Sequence, residues 1–387
     1  MARANITFRL LNDSDLEPGC VREWAALEER ALEPNAYLSP CFVLPALKHL
    51  TPRRRALFIL AEDGVSECRK LCGVGIFHHS AGTKRLPFPH LKAYRSPHSY
   101  LSGLLIDRDL SERTLDAFFA FLCKRRHRWF GVEFGNICRD TALVHQMNLS
   151  ARKLDVPWYE IGRTTRVVLI PEELGNDGGL PFLSSKLKKK YRRQIRLLEQ
   201  LEPVAWRFRR GSEIDHQCID TFLHLENAGW KGKQGSSLRS RDNHEAFFEE
   251  MIQGFSRSGR AFFTELSVGS KVIASSSNMI SGTAGFAFKI GFDPAFARFS
   301  PGILNEIQFL QKVRSVASDL DYIDSGAAEG SFMESLWPHR RTLVSGFFAT
   351  NRLVEPVFAG MDFLRHVKRK LGQLLVSKTW KGATHRR

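Results

Sequence analysis

The chain has 387 residues, 43% of them hydrophobic and 11% aromatic, and a formal net charge of +16. That apolar content excludes a disordered chain, which has too few apolar groups to offset backbone ordering entropy, and the length predicts two domains. The cationic excess calls for an anionic partner (phosphates, nucleic acid, anionic lipid or an acidic cofactor), while seven irregularly spaced cysteines argue against a disulfide framework or a structural zinc site.

The start, MARANITFRLL, has no apolar run after a basic segment, and no later run reaches the roughly 20 apolar residues of a membrane span, so a cytoplasmic chain without a transmembrane segment is expected. Periodicity predicts a strand over 7–10, helices over 24–31 and 42–50, and strands over 56–61 and 71–78. A strand near Leu104, a helix from Ser111, a strand over 130–134 and a helix from Asp140 follow, and a join is expected between Gly162 and Ser184. Residues 184–201 then form a helix with Leu187, Tyr191, Ile195 and Leu198 on one stripe. Around that stripe stand Lys186, Lys188, Lys189, Lys190, Arg192, Arg193 and Arg196, seven cations in eleven positions without an acid. A solvated face is the plainer reading, but this density exceeds what solubility requires and predicts a polyanion contact.

The C-terminal half continues with a strand over 204–208 and a helix capped by Ser212 that ends at Glu226. The next helix is introduced by a capping box of Asp242 and Glu245 and stopped by Gly259. Strands over 261–268, 271–280 and 284–292 are separated by hairpin-length turns. A helix from Pro301, a strand at Tyr322 and Ile323, a short helix over 332–336, a strand over 343–349 and a final amphipathic helix complete the order; the basic tail over 365–387 reads as a frayed end. The order is β-α-α-β-β-β-α-β-α-β, in which the strand after the helix at Pro301 would lie parallel to its predecessor. This predicts an α/β (α+β mixed sheet) fold with two similar units, 1–165 and 166–352, and a C-terminal helix and tail over 353–387.

Three segments carry a resemblance. LENAGWKG at 225–232, KIGFDPAFARFSPGIL at 289–304 and KKKYRRQIRLLE at 188–199 resemble the CelD/BcsL-type acetyltransferases of cellulose and exopolysaccharide synthesis, which belong to the GNAT superfamily. WAALEERALEPNAYLSPCFVLPAL at 24–47 resembles the first domain of the same family, and the element order above is the GNAT order. The resemblance implies two tandem GNAT-like acyl-CoA N-acyltransferase domains. It implies transfer of an acyl group, in the simplest case acetyl, from acyl-CoA to an amine or hydroxyl acceptor such as a saccharide, without a metal. It also implies kinship to the Fem transferases, which take aminoacyl groups from charged tRNA; with that donor, the basic helix would be the RNA contact. A catalytically degenerate GNAT scaffold that binds polyanions is the non-enzymatic alternative.

By the resemblance, the donor's pyrophosphate would meet the loop and helix start formed by Arg298, Phe299, Ser300, Pro301, Gly302 and Ile303. A helix N-terminus offers free amides and partial positive charge, and Gly302 admits close approach. The segment departs from the superfamily's QxxGxG pattern, and Pro301 removes one donor, so the tripeptide alone reads more plainly as an ordinary helix start; its position after the three-strand meander reverses that preference. Glu226, at a helix end beside Trp230 and Lys231, is the first candidate for a general base, with a solvated glutamate as its bland alternative. Trp230, Lys231 and Trp337 are candidate substrate-binding residues, Trp230 for stacking on a sugar ring. Asp324, at the carboxyl end of a strand, and Lys289, on the strand facing the parallel gap, are further candidates for catalysis, and a structural pair between the two fits equally. His339 is another candidate acid or base. No P-loop, GxSxG, HExxH or kinase set is present, which argues against those chemistries.

Overall fold

The structure, a computed structural model, describes residues 6–51, 55–64, 69–82, 86–175 and 179–360, and of Trp230 the backbone alone. Its N-terminal half contains β1 (Thr7–Asn12), α1 (Pro18–Glu29), α2 (Pro40–Pro45), β2 (Leu57–Asp63), β3 (Lys70–Ser80), β4 (His90–Ala93), β5 (Leu105–Ile106), α3 (Ser111–Cys123), β6 (Gly131–Cys138), α4 (Ala142–Arg152) and β7 (Trp158–Leu169). The C-terminal half contains α5 (Ser185–Glu199), β8 (Val204–Arg210), α6 (His216–Ala228), α7 (Trp230–Lys233), α8 (Asp242–Arg257), β9 (Ala261–Val268), β10 (Lys271–Ser281), β11 (Ala284–Phe292), α9 (Pro301–Val316), β12 (Tyr322–Asp324) and β13 (His339–Ala349). Residues 355–360 begin a further helix. The remainder of the expected C-terminal helix, the basic tail and Cys68 lie outside the described residues.

Local chemistry explains most boundaries. Ser184 caps α5 by accepting from the Leu187 amide, and Tyr191 and Leu198 of its apolar stripe are buried. Two expected caps differ. Asp215, whose carboxylate accepts from the Cys218 amide, starts α6, while Ser212 lies in a preceding 3-10 turn. The capping box of α8 does not form, because Arg239 draws the Glu245 carboxylate to 2.8 Å and Arg241 occupies the N-cap position.

The thirteen strands among the described residues form one sheet in the order β1-β2-β3-β4-β6-β13-β7-β12-β11-β10-β9-β8, with β5 beside β3. Each half contributes an antiparallel run that turns parallel at one point, β4 with β6 and β11 with β12. The halves then exchange strands. β13 inserts between β6 and β7, and β7 lies between β13 and β12 in a register running from His339 opposite Val168 to Phe348 opposite Trp158. The expected division at residue 165 falls inside β7, a strand that the sequence reading did not contain, and both halves contribute strands to one sheet.

Helices cover both faces. One cluster joins α1 and α2 to α6 and α8 across the halves, with Trp24, Phe42, Phe222 and Phe247 buried in it. Phe42 and Phe247 meet edge to face with centroids 5.4 Å apart, and full burial of such a side chain is worth about 1.5–3 kcal/mol. A second cluster packs α5 and α9 on the sheet through Leu198, Phe262, Leu266 and Phe309, and a third packs α3 and α4 on the N-terminal half. Burial of residues from both halves in one cluster fixes their relation.

Candidate active site

The parallel pairing of β11 with β12 covers only Ala284 to Phe286 against Tyr322 to Asp324. Beyond it β11 continues to Phe292, while the chain after β12 turns away at Gly326, so the two strands part. A bulge at Phe288 sharpens the parting: Lys289 pairs with Ser277 and Ala287 with Asn278, leaving Phe288 without a partner in the β10 register. The Tyr100 hydroxyl, from the N-terminal half, donates to the Phe288 carbonyl at 3.1 Å. Gly326 has φ +62, and a Cβ there would stand 2.4 Å from the Ala287 carbonyl oxygen and 2.8 Å from the Tyr100 ring, so only glycine fits this turn.

The end of α6 lies against the parted stretch of β11 because Gly291 has no side chain; a Cβ would come within 2.5 Å of the Glu226 amide nitrogen. This contact puts Glu226 at the parting. Its side chain is fully buried, Oε2 accepts from the Leu238 amide at 2.8 Å, and Oε1 faces the ammonium groups of Lys231 at 3.4 Å and Lys289 at 3.8 Å. Oε1 has no hydrogen-bond partner among the described residues. Burial pushes the Lys289 ammonium down to about 8, against the attraction of Glu226 and with help from Lys231. Lys231 also donates to the Ile290 carbonyl at 3.1 Å. Two histidines complete the surroundings: His98 Nε2 lies 3.2 Å from His244 Nδ1, and burial, with Lys289 and His244 nearby, pushes His98 down to about 3, so it is neutral. We expect Gly291→Ala to displace the end of α6 and cost about 1–3 kcal/mol by overpacking. Thermal unfolding measures that cost, and a wild-type melting temperature would refute the close approach.

The structure separates the remaining candidates. Asp324 does not pair with Lys289; its buried carboxylate is held by Arg166 of β7 at 3.4 Å, by Arg341 of β13 and by the Gly326 amide at 2.7 Å. It therefore ties three strands together where the halves meet. His339 lies at the start of β13 with Nε2 3.3 Å from the exposed Glu173. Trp337 is 2% exposed and packs within the C-terminal core. Near it the Glu306 carboxyl is pushed up to about 7 by burial. Trp230 opens α7 directly after Glu226's helix.

Sequence reasoning did not anticipate Tyr100, His98 and His244. Only their types were visible, since the loop carrying Tyr100 and His98 reaches the C-terminal half through tertiary packing.

Ser300 is left-handed (φ 56) and starts α9 without a side-chain cap. The amides of Ile303 and Leu304 both return to the Ser300 carbonyl, at 3.0 and 3.1 Å, and Pro301 has none to offer. Gly302 faces β11, where a Cβ would make ordinary contact with Ile290 at 3.5 Å. Beside this start lies α5: Gln194 donates to the Arg298 carbonyl at 3.3 Å, and a cavity of about 700 Å³ is lined by Lys186, Lys189, Lys190, Arg193, Arg298 and Phe299 with no acid among its lining residues. The basic helix and the expected donor loop are thus one surface. Among the described residues no cluster of three or more His, Cys, Asp or Glu is arranged to hold a metal ion, and no helix is long and apolar enough to cross a membrane.

An acetyltransferase (GNAT) domain profile matches residues 185–330. In three dimensions the chain is similar to FemX, with a TM-score of 0.54, 10% identity, and coverage of 87% of this chain and 98% of that one. It is similar to the C-terminal domain (DUF2156) of a putative lysylphosphatidylglycerol synthetase from Agrobacterium fabrum, with a TM-score of 0.52, 11% identity, and coverage of 89% and 95%. A conserved protein of unknown function from Bacteroides thetaiotaomicron VPI-5482 aligns with a TM-score of 0.51, 12% identity, and coverage of 89% and 99%. No curated protein matches the chain by sequence. At these identities the likeness is one of fold, and the fold is the mixed α/β GNAT fold.

Proposed function

We propose that the chain is an acyltransferase whose C-terminal half takes an acyl group, in the simplest case acetyl, from acyl-CoA and passes it to an amine or hydroxyl. The observation that carries this reading is the parting of β11 and β12 beside the start of α9, flanked by a cation-lined cavity without an acid. The GNAT profile over the same residues supports it.

The residues present fit a diphosphate-bearing donor. The backbone at Ser300 to Leu304 has spent part of its hydrogen-bonding capacity internally, and Lys189, Lys190, Arg193 and Arg298 supply in side-chain charge what the departed glycine pattern would supply in amides. In the reaction the acceptor's nitrogen or oxygen forms a bond to the acyl carbon, the carbon–sulfur bond breaks with its electron pair going to sulfur, and coenzyme A leaves as the thiolate, which takes a proton from solvent. Glu226 Oε1 receives the acceptor's proton. Lys289, protonated below about pH 8, supplies a cation for charge developing on the acyl oxygen. Tyr100 holds the bulge from the N-terminal half, which shapes the acceptor side of the cleft. The resemblance of residues 225–232 and 289–304 to CelD/BcsL-type enzymes supports a saccharide acceptor, and an acyl-CoA donor would fit a reaction in the cytoplasm.

Neutralising Lys189, Lys190 and Arg193 together should weaken acetyl-CoA binding by about tenfold or more, since hydrogen bonds to charged groups contribute about 1.5–3 kcal/mol each. Calorimetry at two ionic strengths measures this, and the variant's affinity should depend less on salt. The fold likeness to FemX supports a second reading, transfer of an aminoacyl group from charged tRNA with α5 as the RNA contact. Titration and turnover with a panel of acyl-CoA thioesters decide between them: salt-sensitive aminoacyl-tRNA binding without any response to an acyl-CoA replaces the first reading by the second.

A further inference from the structure

The seven cations of α5 do not share one environment. Lys186, Lys189, Lys190 and Arg193 line the cavity beside Arg298. Lys188, Arg192 and Arg196 recur every fourth residue and so stand one above another on the helix's other flank. There they rim a separate cavity of about 390 Å³ between α5 and α9. Its floor is Leu180, Leu183, Tyr191, Leu304 and Ile307, all buried, while Gln308 and Gln311 of α9 stand across from the cations and Glu199 is the single acid in its lining. The volume falls within the range of roughly 300–1,000 Å³ typical of small-molecule sites.

A solvated charged face needs no apolar floor. A nucleic-acid backbone presents phosphate and sugar to a cation and leaves a leucine floor unfilled. A cationic rim over an apolar floor is complementary to a molecule with an apolar chain and an anionic head, because the chain gains by leaving water and the head keeps its charge at the edge. We propose that the cavity between α5 and α9 binds an anionic amphiphile, its acyl chain seated against Leu180, Leu183, Leu304 and Ile307 and its carboxylate or phosphate held by Lys188, Arg192 and Arg196. The inference stands independently of the acyl-transfer reading, since it concerns the other flank of α5.

The test is calorimetric titration of the full chain with octyl, decyl and dodecyl phosphate below their micelle concentrations. Inorganic phosphate, dodecyltrimethylammonium and acetyl-CoA serve as comparators. One molecule should bind per chain, with affinity rising up to roughly fourfold for each methylene buried. Arg192→Gln with Arg196→Gln, both exposed positions, should weaken dodecyl phosphate tenfold or more; Gln308→Trp, which fills the cavity, should weaken it in the same way without removing a charge. Acetyl-CoA should not displace it. Phosphatidylglycerol vesicles distinguish the source: competition between vesicle and dodecyl phosphate identifies a membrane lipid, and binding of the monomer alone identifies a free amphiphile. The proposal is overturned if inorganic phosphate or the cationic amphiphile binds as tightly as dodecyl phosphate, if neither variant changes the affinity, if acetyl-CoA competes, or if vesicles bind while the monomer does not.

Discussion

Replacing Asp324 by asparagine should destabilise the protein by about 3–5 kcal/mol, the cost of breaking a buried ion pair and leaving its partners uncompensated. The carboxylate is fully buried, and the guanidinium side chains of Arg166 and Arg341 are 7% and 12% exposed. Asparagine keeps the shape and can still accept from the Gly326 amide, but it carries no charge to offset two cations in a dry seam. The attraction is mutual: Asp324 raises the Arg341 guanidinium above its ordinary range, although burial opposes this. Because β7, β12 and β13 meet at this residue, the loss should fall on the junction between the halves, and urea unfolding of the variant should be less cooperative than that of the wild type. A triple replacement of Asp324, Arg166 and Arg341 by apolar residues should recover much of the deficit, as removing both signs of charge leaves nothing unpaired. A loss below about 1 kcal/mol in the single variant would mean that water already screens the cluster.

Replacing Glu226 by glutamine should lower the maximal rate of transfer by about 10²–10⁴-fold, the usual contribution of a positioned proton acceptor, while acetyl-CoA affinity stays nearly constant. The pH profile separates this from a packing defect. Lys289 has a folded value of about 8, below its ordinary 10.5, so in the wild type the rate should fall as the ammonium is lost above pH 8. Without the carboxylate that falling limb should move to lower pH, since Glu226 is the attraction that keeps Lys289 charged. The same shift has a stability consequence. The native state sheds the Lys289 proton before the unfolded chain does, so the group opposes folding fully below pH 8 and this opposition is relieved as pH rises from 8 toward 10.5. Lys289→Met should therefore stabilise the protein at neutral pH and flatten the dependence of stability between those values. Unchanged turnover at saturating substrates in a folded Glu226→Gln protein would remove the carboxylate from the chemistry.

Local chemistry alone determined much of this protein. The hairpins β9, β10 and β11 were legible because apolar runs were separated by Gly269-Ser270 and Ser281-Gly282-Thr283, and α5 and α9 because their apolar positions recur at helical spacing. Glu226 was legible as a carboxylate at a helix end beside an aromatic and a cation. β4, four residues long, left no periodic signature, and β7, with arginines at 163 and 166, read as a join between units.

Tertiary structure decided the rest. Whether Asp324 faced Lys289 or an arginine depended on which strand lay beside β12, and that strand, β7, comes from the other half of the chain. The same exchange brought Arg341 to Asp324, packing across the halves brought Tyr100 to the bulge at Phe288, and Trp337 is buried in the C-terminal core. A residue's own neighbours fix its periodicity, caps and turns within a few bonds. Strand order and the partner of a buried charge are set by competition among distant edges for backbone hydrogen bonds and among apolar faces for burial.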